Sequence, residues 1–354
     1  LDVKGSIRTI AVCAAQVPFF SGGAEAHVGG LIEKLRLRGY EVELINLPYK
    51  WYPRKQMLNS IERWQKLDLS ESNGKPIDLV IATKFPSYFI EHPRKVLWLI
   101  HQYRQMYDLL GTQYSGFDMH KFSDRRFRNK LVGMDTRALA SFPSRFTNAQ
   151  NTADRLQKFN GLHAQALYHP PPLLGKYVNL EYQNYILSVG RLDKLKRVDA
   201  LLRALVHVDK SVGCKIAGTG PARQDLETLS RELGISDRVE FLGFAPDEQL
   251  VELYGKCSAV FFSPVDEDYG YITLEAFLSE KSVITAPDSG GPLEFVRHGV
   301  NGLIVDCHDT AALGRAISEL VMDKDQCARM GQAGAACIAN INWDNVIDTL
   351  IPVD

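Results

Sequence analysis

Short apolar runs alternate with amphipathic stretches along nearly the whole chain. In the first half the runs are TIAVCAA (9–15), EVELINL (41–47), DLVIAT (78–83), KVLWLIH (95–101) and RALASFPS (137–144). Helical patterns lie between them, as in AEAHVGGLIEKLRLRG (24–39), which Gly39 is placed to end. The second half repeats the theme with YILSVG (185–190), CKIAGTG (214–220), RVEFLG (238–243), AVFFSP (259–264), SVITAP (282–287) and NGLIVD (301–306). ARQDLETLSRELG (222–234) and DEQLVELYGKC (247–257) read as helices between these strands. Near-continuous apolar strands separated by helices predict an α/β protein with parallel sheets covered on both faces. One stretch breaks the alternation: HPPPLLGKYVNLEYQN (169–184) has three consecutive prolines and no period. It predicts a stiff, extended boundary, with one domain over 1–170 and a second over 171–335.

Bulk properties narrow the class. A chain of 354 residues favours two domains over one. Hydrophobic content of 45% and charged content of 23% are ordinary for a globular protein. The formal net charge of -1 supplies no global field that would draw the chain to nucleic acid. Six cysteines are scattered without a close pair, which argues against a disulfide framework or zinc knuckle and suits a reducing cytosol. No apolar run approaches the roughly 18 residues of a membrane span. The opening LDVKGSIRTIAVCAAQ lacks a signal-peptide core and reads as a first strand.

Open parallel sheets bind ligands at the carboxyl ends of their strands, and two such domains facing each other would enclose a cleft. Candidate chemistry clusters at those ends. In EDYGYITLE, Glu267 falls on a strand-to-helix loop and Glu275 about one turn into the helix. The amides of Gly270, Tyr271 and Ile272 between them would start the helix and cradle an anion. A ligand anionic in its middle and rich in hydroxyls at its ends, such as a nucleotide-sugar, fits that spacing. After the strand YILSVG, Gly190 is followed by Arg191 and Lys196, a guanidinium and an ammonium able to grip phosphate; a solvated basic loop is the alternative. Gly22 and Gly23 follow the first strand, and Gly290 and Gly291 a later one; each pair permits close backbone approach or marks a plain turn. CKIAGTGP resembles half of a dinucleotide fingerprint, but Arg223 stands where the third glycine would be. His101 ends KVLWLIH, where an imidazole can reach a sugar hydroxyl or a reacting centre. Asp266 and Asp268 form a D-x-D that could hold a divalent metal, a reading set aside because Arg191 and Lys196 already supply counter-charge. The basic, aromatic segment HKFSDRRFRNK (120–130) is either a solvated surface or a patch for a membrane or an anionic acceptor.

Taken in order, SGGAEAHVGGLIEKLRLRGYEVEL, SFPSRFTNAQNTADRL, LYHPPP, SVGRLDKLKRVDALLRAL, VEFLGF and the E-x7-E segment resemble the retaining glycosyltransferases of the GT-B fold, family 4. The resemblance spans nearly the whole chain. It implies two Rossmann-like, doubly wound domains facing across a cleft, the first on the acceptor side and the second binding the donor. It also implies a last helix, over 336–354, crossing back to the N-domain. Arg191 and Lys196 would then bind the donor diphosphate, Glu275 the ribose and Glu267 the sugar. The amides after Gly270 would serve sugar and phosphate, and the base would rest near Phe244 and Ala245. His101 would lie near the reacting centre, with Gly22 and Gly23 approaching phosphate from the other domain. His169 stands where the family usually has asparagine, and Tyr269 where phenylalanine is common. The implied activity is metal-independent, cofactor-free transfer of a hexose from a UDP- or GDP-sugar to a saccharide or lipid-linked acceptor in bacterial surface polysaccharide or lipopolysaccharide assembly. The implied location is cytoplasmic, with segment 120–130 peripheral at the inner face of the membrane. A nucleotide-sugar epimerase of the same fold and a non-catalytic nucleotide-sugar-binding protein are the alternatives.

Overall fold

The computed structural model of the chain describes residues 7–19 and 22–351; the first six residues of the N-terminal segment and the last three of the C-terminal one lie outside this range. The chain divides into two compact units, Leu1–His169 with Asn342–Asp354, and Pro170–Ile341.

The first unit holds strands β1 (Thr9–Gln16), β2 (Glu41–Pro48), β5 (Leu79–Lys84), β6 (Lys95–His101), β7 (Ser144–Thr147) and β8 (Gln165–Ala166), with a small antiparallel ribbon of β3 (Glu71–Ser72) and β4 (Lys75–Pro76). The six form one parallel sheet in the order β2-β1-β5-β6-β7-β8. Helices α1 (Gly23–Leu37), α2 (Arg54–Gln65), α3 (Phe122–Ala140) and α4 (Gln150–Asn160) connect them. The central strands β5 and β6 are buried almost end to end, which is why they read as unbroken apolar runs. Helix α11 (Trp343–Leu350) belongs to this unit as well. It buries Val346, Ile347 and Leu350 in the same core as Leu31 and Leu35 of α1. The Trp343 ring lies so close to Gly30 that a Cβ there would meet it at 2.7 Å.

The second unit contains β9 (Tyr185–Val189), β10 (Gly213–Ala217), β11 (Val239–Gly243), β12 (Ala259–Phe261), β13 (Ser282–Thr285) and β14 (Gly302–Ile304). Its sheet is also wholly parallel, in the order β11-β10-β9-β12-β13-β14. Helices α5 (Val198–Leu205), α6 (Arg223–Glu232), α7 (Asp247–Lys256), α8 (Tyr271–Leu278), α9 (Thr310–Met322) and α10 (Lys324–Ile338) complete it. The strand order reverses between β9 and β12, and in the first unit between β1 and β5. Such a reversal opens a crevice at the carboxyl ends of the two strands, where open α/β sheets bind ligands.

Three expectations need revision. RALASFPS (137–144) is not a strand: α3 runs to Ala140, and β7 begins only at Ser144. The apolar run there is the buried face of the last helical turn, with Leu139 inside the core. The final helix is shorter than 336–354 and starts at Trp343, because Asn342 breaks from α10 and caps α11 by accepting from the Asn345 amide at 2.8 Å. The proline-rich segment is not extended throughout, because it turns over 172–176, with Leu173 at φ 62°. Its later part is tied to the second unit, with Tyr177 packed on Tyr254, Asn179 bonded to Lys281 and the Leu180 amide donating to the Gly255 carbonyl.

Buried charge in the first unit gives a test. Asp135 of α3 is fully buried, and one oxygen accepts from the Tyr107 hydroxyl at 2.5 Å. Burial pushes its carboxyl up to about 7 against the bonding from tyrosine hydroxyls. Between its unfolded value near 3.8 and about 7 the folded state therefore binds more protons, and stability falls as pH rises through that window. Asp135→Asn should gain thermal stability relative to the parent chain between pH 5 and pH 8. Melting curves of the two proteins across that range check this; a difference in Tm that does not change with pH contradicts it.

Candidate functional site

In the second unit the loops leaving the strand ends converge on the crevice between β9 and β12. Gly190 follows β9 with φ 127°, and a Cβ placed there would sit 3.2 Å from Ile272 at the start of α8. The loop after β10 packs beneath it. A Cβ on Gly218 would lie 1.8 Å from the Gly190 carbonyl oxygen, so only glycine lets these two backbones meet. The Gly190 amide donates to Ala217 at 3.0 Å, and the Leu192 amide to Thr219 at 2.9 Å. AGTG therefore supports the Gly190–Arg191 loop. It follows the second strand of this sheet, whereas a dinucleotide fingerprint follows the first.

The other wall is the β12–α8 loop. Here Glu267 bridges to Gly290: its amide donates to Ser289, and the Gly291 amide donates back to its carbonyl at 2.8 Å. The glycine pair after β13 thus fixes the backbone that carries Glu267. Gly270 caps α8 with φ 83°, a left-handed conformation that places the Tyr271 and Ile272 amides at the helix start.

The charged groups are arranged tightly. Lys196 sits on the short 3-10 turn Lys194–Lys196, which Asp193 caps by accepting from the Leu195 amide. Its ammonium forms an ion pair with Glu267 and lies 5.4 Å from the Phe262 ring centroid. Arg191 is exposed, with Asp193 at 3.8 Å. The next basic residue, Arg197, is bound in bidentate fashion by Asp288, so it holds the loop in place and spends its charge there. Glu275 is 9% exposed, and one carboxylate oxygen accepts from the Tyr254 hydroxyl at 2.6 Å. Burial pushes its carboxyl up to about 7, opposed by the hydroxyls of Tyr254 and Tyr177. The two glutamates therefore do not confront an anion as two bare charges: Lys196 neutralises one, and burial favours the protonated form of the other. Phe244, after β11, is 78% exposed, and Ala245 is half-buried beside it.

The first unit has its own set of groups at the carboxyl edge of its sheet. Gly22 is the N-cap of α1, and its amide donates to Glu25 at 2.9 Å. The other oxygen of Glu25 meets the buried ammonium of Lys84 at 2.6 Å. Lys84 ends β5 and pairs in register with His101, whose Nδ1 contacts the Gln102 carbonyl at 3.0 Å. Gly22, Gly23, Lys84 and His101 thus share one edge, and Glu25 ties two of them together. His169 lies elsewhere, fully buried in a ring cluster with His27, Trp98 and Trp343. Segment 120–130 is the start of α3. Asp124 points inward to Arg54, while Lys121, Phe122, Arg125, Arg126 and Lys130 are exposed.

Lys84, Glu25, Tyr254 and the Arg197–Asp288 pair were not anticipated from the sequence. Lys84 carried a usable signal, a polar residue closing an apolar strand, the same one that marked His101. Tyr254 carried none, since its role depends on which face of α7 meets α8.

Residues 175–336 match the family model described as glycosyl transferases group 1. A D-inositol 3-phosphate glycosyltransferase of Nocardia farcinica is 36% identical over 176 residues, covering 47% of this chain and 39% of that protein. The chain therefore matches about two fifths of the length of that curated relative. Among solved structures, a sucrose-phosphate synthase from Thermosynechococcus elongatus superposes with a TM-score of 0.79 at 17% identity, covering 96% of each chain. HepE of Anabaena, solved with UDP and glucose, gives 0.72 at 16% identity over 98% of this chain and 100% of the other. At such identities the likeness establishes the fold. Over residues 175–336 this chain is therefore similar to the group 1 glycosyl transferases, and the chain as a whole shares the GT-B fold of these solved structures.

Proposed function

We propose that the chain is a retaining glycosyltransferase that moves a hexose from a UDP- or GDP-sugar to a hydroxyl of a saccharide or lipid-linked glycan. The observation that carries this reading is the convergence of Arg191, Lys196, Glu267 and the α8 N-terminus on the crevice between β9 and β12. In the proposed complex Arg191 and Lys196 grip the diphosphate, the α8 amides after Gly270 meet phosphate and sugar, and Glu267 contacts the sugar hydroxyls. Glu275 receives the ribose, and the base rests by Phe244 and Ala245. HepE, of the same fold, binds UDP and glucose.

The difficult step is departure of the nucleoside diphosphate, on which negative charge grows as the glycosidic bond lengthens. Cations and helix-start amides aimed at that charge bind the transition state more tightly than the ground state. No cofactor or divalent ion enters this scheme. Glu267 is a poor candidate for a covalent nucleophile, because its ion pair with Lys196 stabilises the carboxylate as it stands. That favours front-face substitution, with the departing phosphate taking the acceptor's proton. Assembly of surface polysaccharide or lipopolysaccharide, at the cytoplasmic face of a membrane met by the exposed start of α3, is the setting we propose.

Two experiments test the donor site. In a panel of UDP- and GDP-sugars that finds a consumed donor, Arg191→Ala and Lys196→Ala should each lower turnover about 100-fold, the effect of losing one donor aimed at developing charge, with the circular dichroism spectrum unchanged. EDTA should leave turnover intact. Parent-like rates in both variants refute the assignment. Glu275 supplies the second test, because only its ionised form accepts two ribose hydroxyls. With a carboxyl near 7, its ionised fraction rises about ten-fold from pH 6 to pH 8. Affinity for UDP-glucose, measured by calorimetry, should tighten by up to about that factor over this range and become flat in Glu275→Gln. A flat profile in the parent, or the same slope in the variant, removes Glu275 from the ribose site.

A further inference from the structure

The first unit contains a cavity of about 590 Å³ that none of the roles above uses. Two loops build it. One leaves the carboxyl end of β2 and supplies Trp51 and Tyr52, running into the start of α2 with Arg54 and Lys55; the other leaves the carboxyl end of β6 and supplies Tyr103 and Phe117. Both therefore emerge from the sheet edge that carries Gly22, Lys84 and His101. The volume lies within the usual range for a small-molecule site.

The lining has a definite chemistry. Trp51 and Tyr52 are exposed at 37% and 56%, with their rings edge to face at 5.2 Å. Exposed aromatic faces of this kind match the C–H faces of a sugar ring, and they lose little side-chain freedom on binding. Arg54 is immobilised, its guanidinium within 5.3 Å of the Phe117 centroid and 5.1 Å of the Phe127 centroid and bonded to Asp124 at 2.5 Å. That contact holds the Asp124 carboxyl down at about 2, so the pair stays ionised at every working pH. Asp124 offsets the charge of Arg54. Lys55 in the lining and Lys50, 4.7 Å from the Tyr52 centroid, are then left as net positive charge. None of the described lining residues is acidic. Gln105 adds polarity: its carbonyl oxygen accepts from the Tyr103 hydroxyl at 2.5 Å, and its amide nitrogen makes no hydrogen bond among the described residues.

We propose that this cavity is an acceptor subsite for an acidic sugar unit, a pyranose bearing a phosphate or a carboxylate. The ring stacks on Trp51 and Tyr52, and the anion is met by Lys55 and Lys50. This rests on the glycosyltransferase reading, and it commits that reading to an anionic acceptor.

The test uses the full chain and two matched probe pairs: tetragalacturonate against the neutral galactose tetramer, and mannose 6-phosphate against mannose. Binding is followed by calorimetry, and UDP-glucose binding is measured on the same samples. The acidic member of at least one pair should saturate at a concentration at least ten-fold below its neutral partner and weaken as salt is raised. The pair that responds tells carboxylate from phosphate. Trp51→Ala should abolish this binding and Lys55→Glu should weaken it at least ten-fold, while both variants keep the parent affinity for UDP-glucose. Equal affinity for acidic and neutral members, no saturable binding of any probe, or binding that survives both substitutions overturns the proposal. Failure of the parent chain to bind any UDP- or GDP-sugar would instead strike the donor assignment.

Discussion

The ion pair between Lys196 and Glu267 joins the two walls of the crevice in the second unit. Lys196 comes from the turn after β9 and Glu267 from the loop after β12, the two strands between which the sheet order reverses. A cation placed there for a diphosphate would be mobile and solvated if it stood alone. A carboxylate placed there for sugar hydroxyls would repel the same diphosphate. Pairing answers both problems: the ammonium is held in place, the carboxylate is neutralised, and both side chains remain partly exposed to a ligand. Arg191 remains the more exposed charge beside them, while Arg197 and Asp288 pin the backbone of the same turn.

That geometry depends on close backbone packing. Gly218 lies against the Gly190 carbonyl, and the Glu267 and Gly290 backbones pair as a short parallel bridge. A side chain at Gly218, or at Gly291, where a Cβ would meet the Tyr269 carbonyl oxygen at 2.6 Å, would separate the layers that set the position of the charges. Glu275 contributes differently, since its carboxyl is pressed into the interior against Tyr254 and becomes sensitive to pH near neutrality. The first unit repeats the logic in another form, with Glu25 linking the Gly22 amide to the ammonium of Lys84.

Much of this was legible in the sequence because central parallel strands are buried on both faces and show as unbroken apolar runs. KVLWLIH and its closing histidine coincide with β6 residue for residue. The placement of Glu275 one turn into α8 followed from the glycine before it. What could not be read had physical causes. Helix α3 buries Asp135 on its inner face, which breaks the apolar period and left Ala138 and Leu139 looking like the start of a strand. The partners of Glu275 come from α7 and from the segment after the prolines, and long-range packing of that kind leaves no local mark. The strand orders of the two units differ, 3-2-1 against 2-1-3 over their first strands, a distinction that alternation of strands and helices does not encode.

In the function we propose, a sugar diphosphate is held at the β9–β12 crevice by paired basic side chains and a helix start. A crystal structure of the chain with UDP-glucose tests it most directly. Diphosphate oxygens should lie within hydrogen-bonding distance of Arg191 and Lys196, with Glu267 on the sugar. A diphosphate seated elsewhere, or bound through a divalent ion ligated by Asp266 and Asp268, would contradict it.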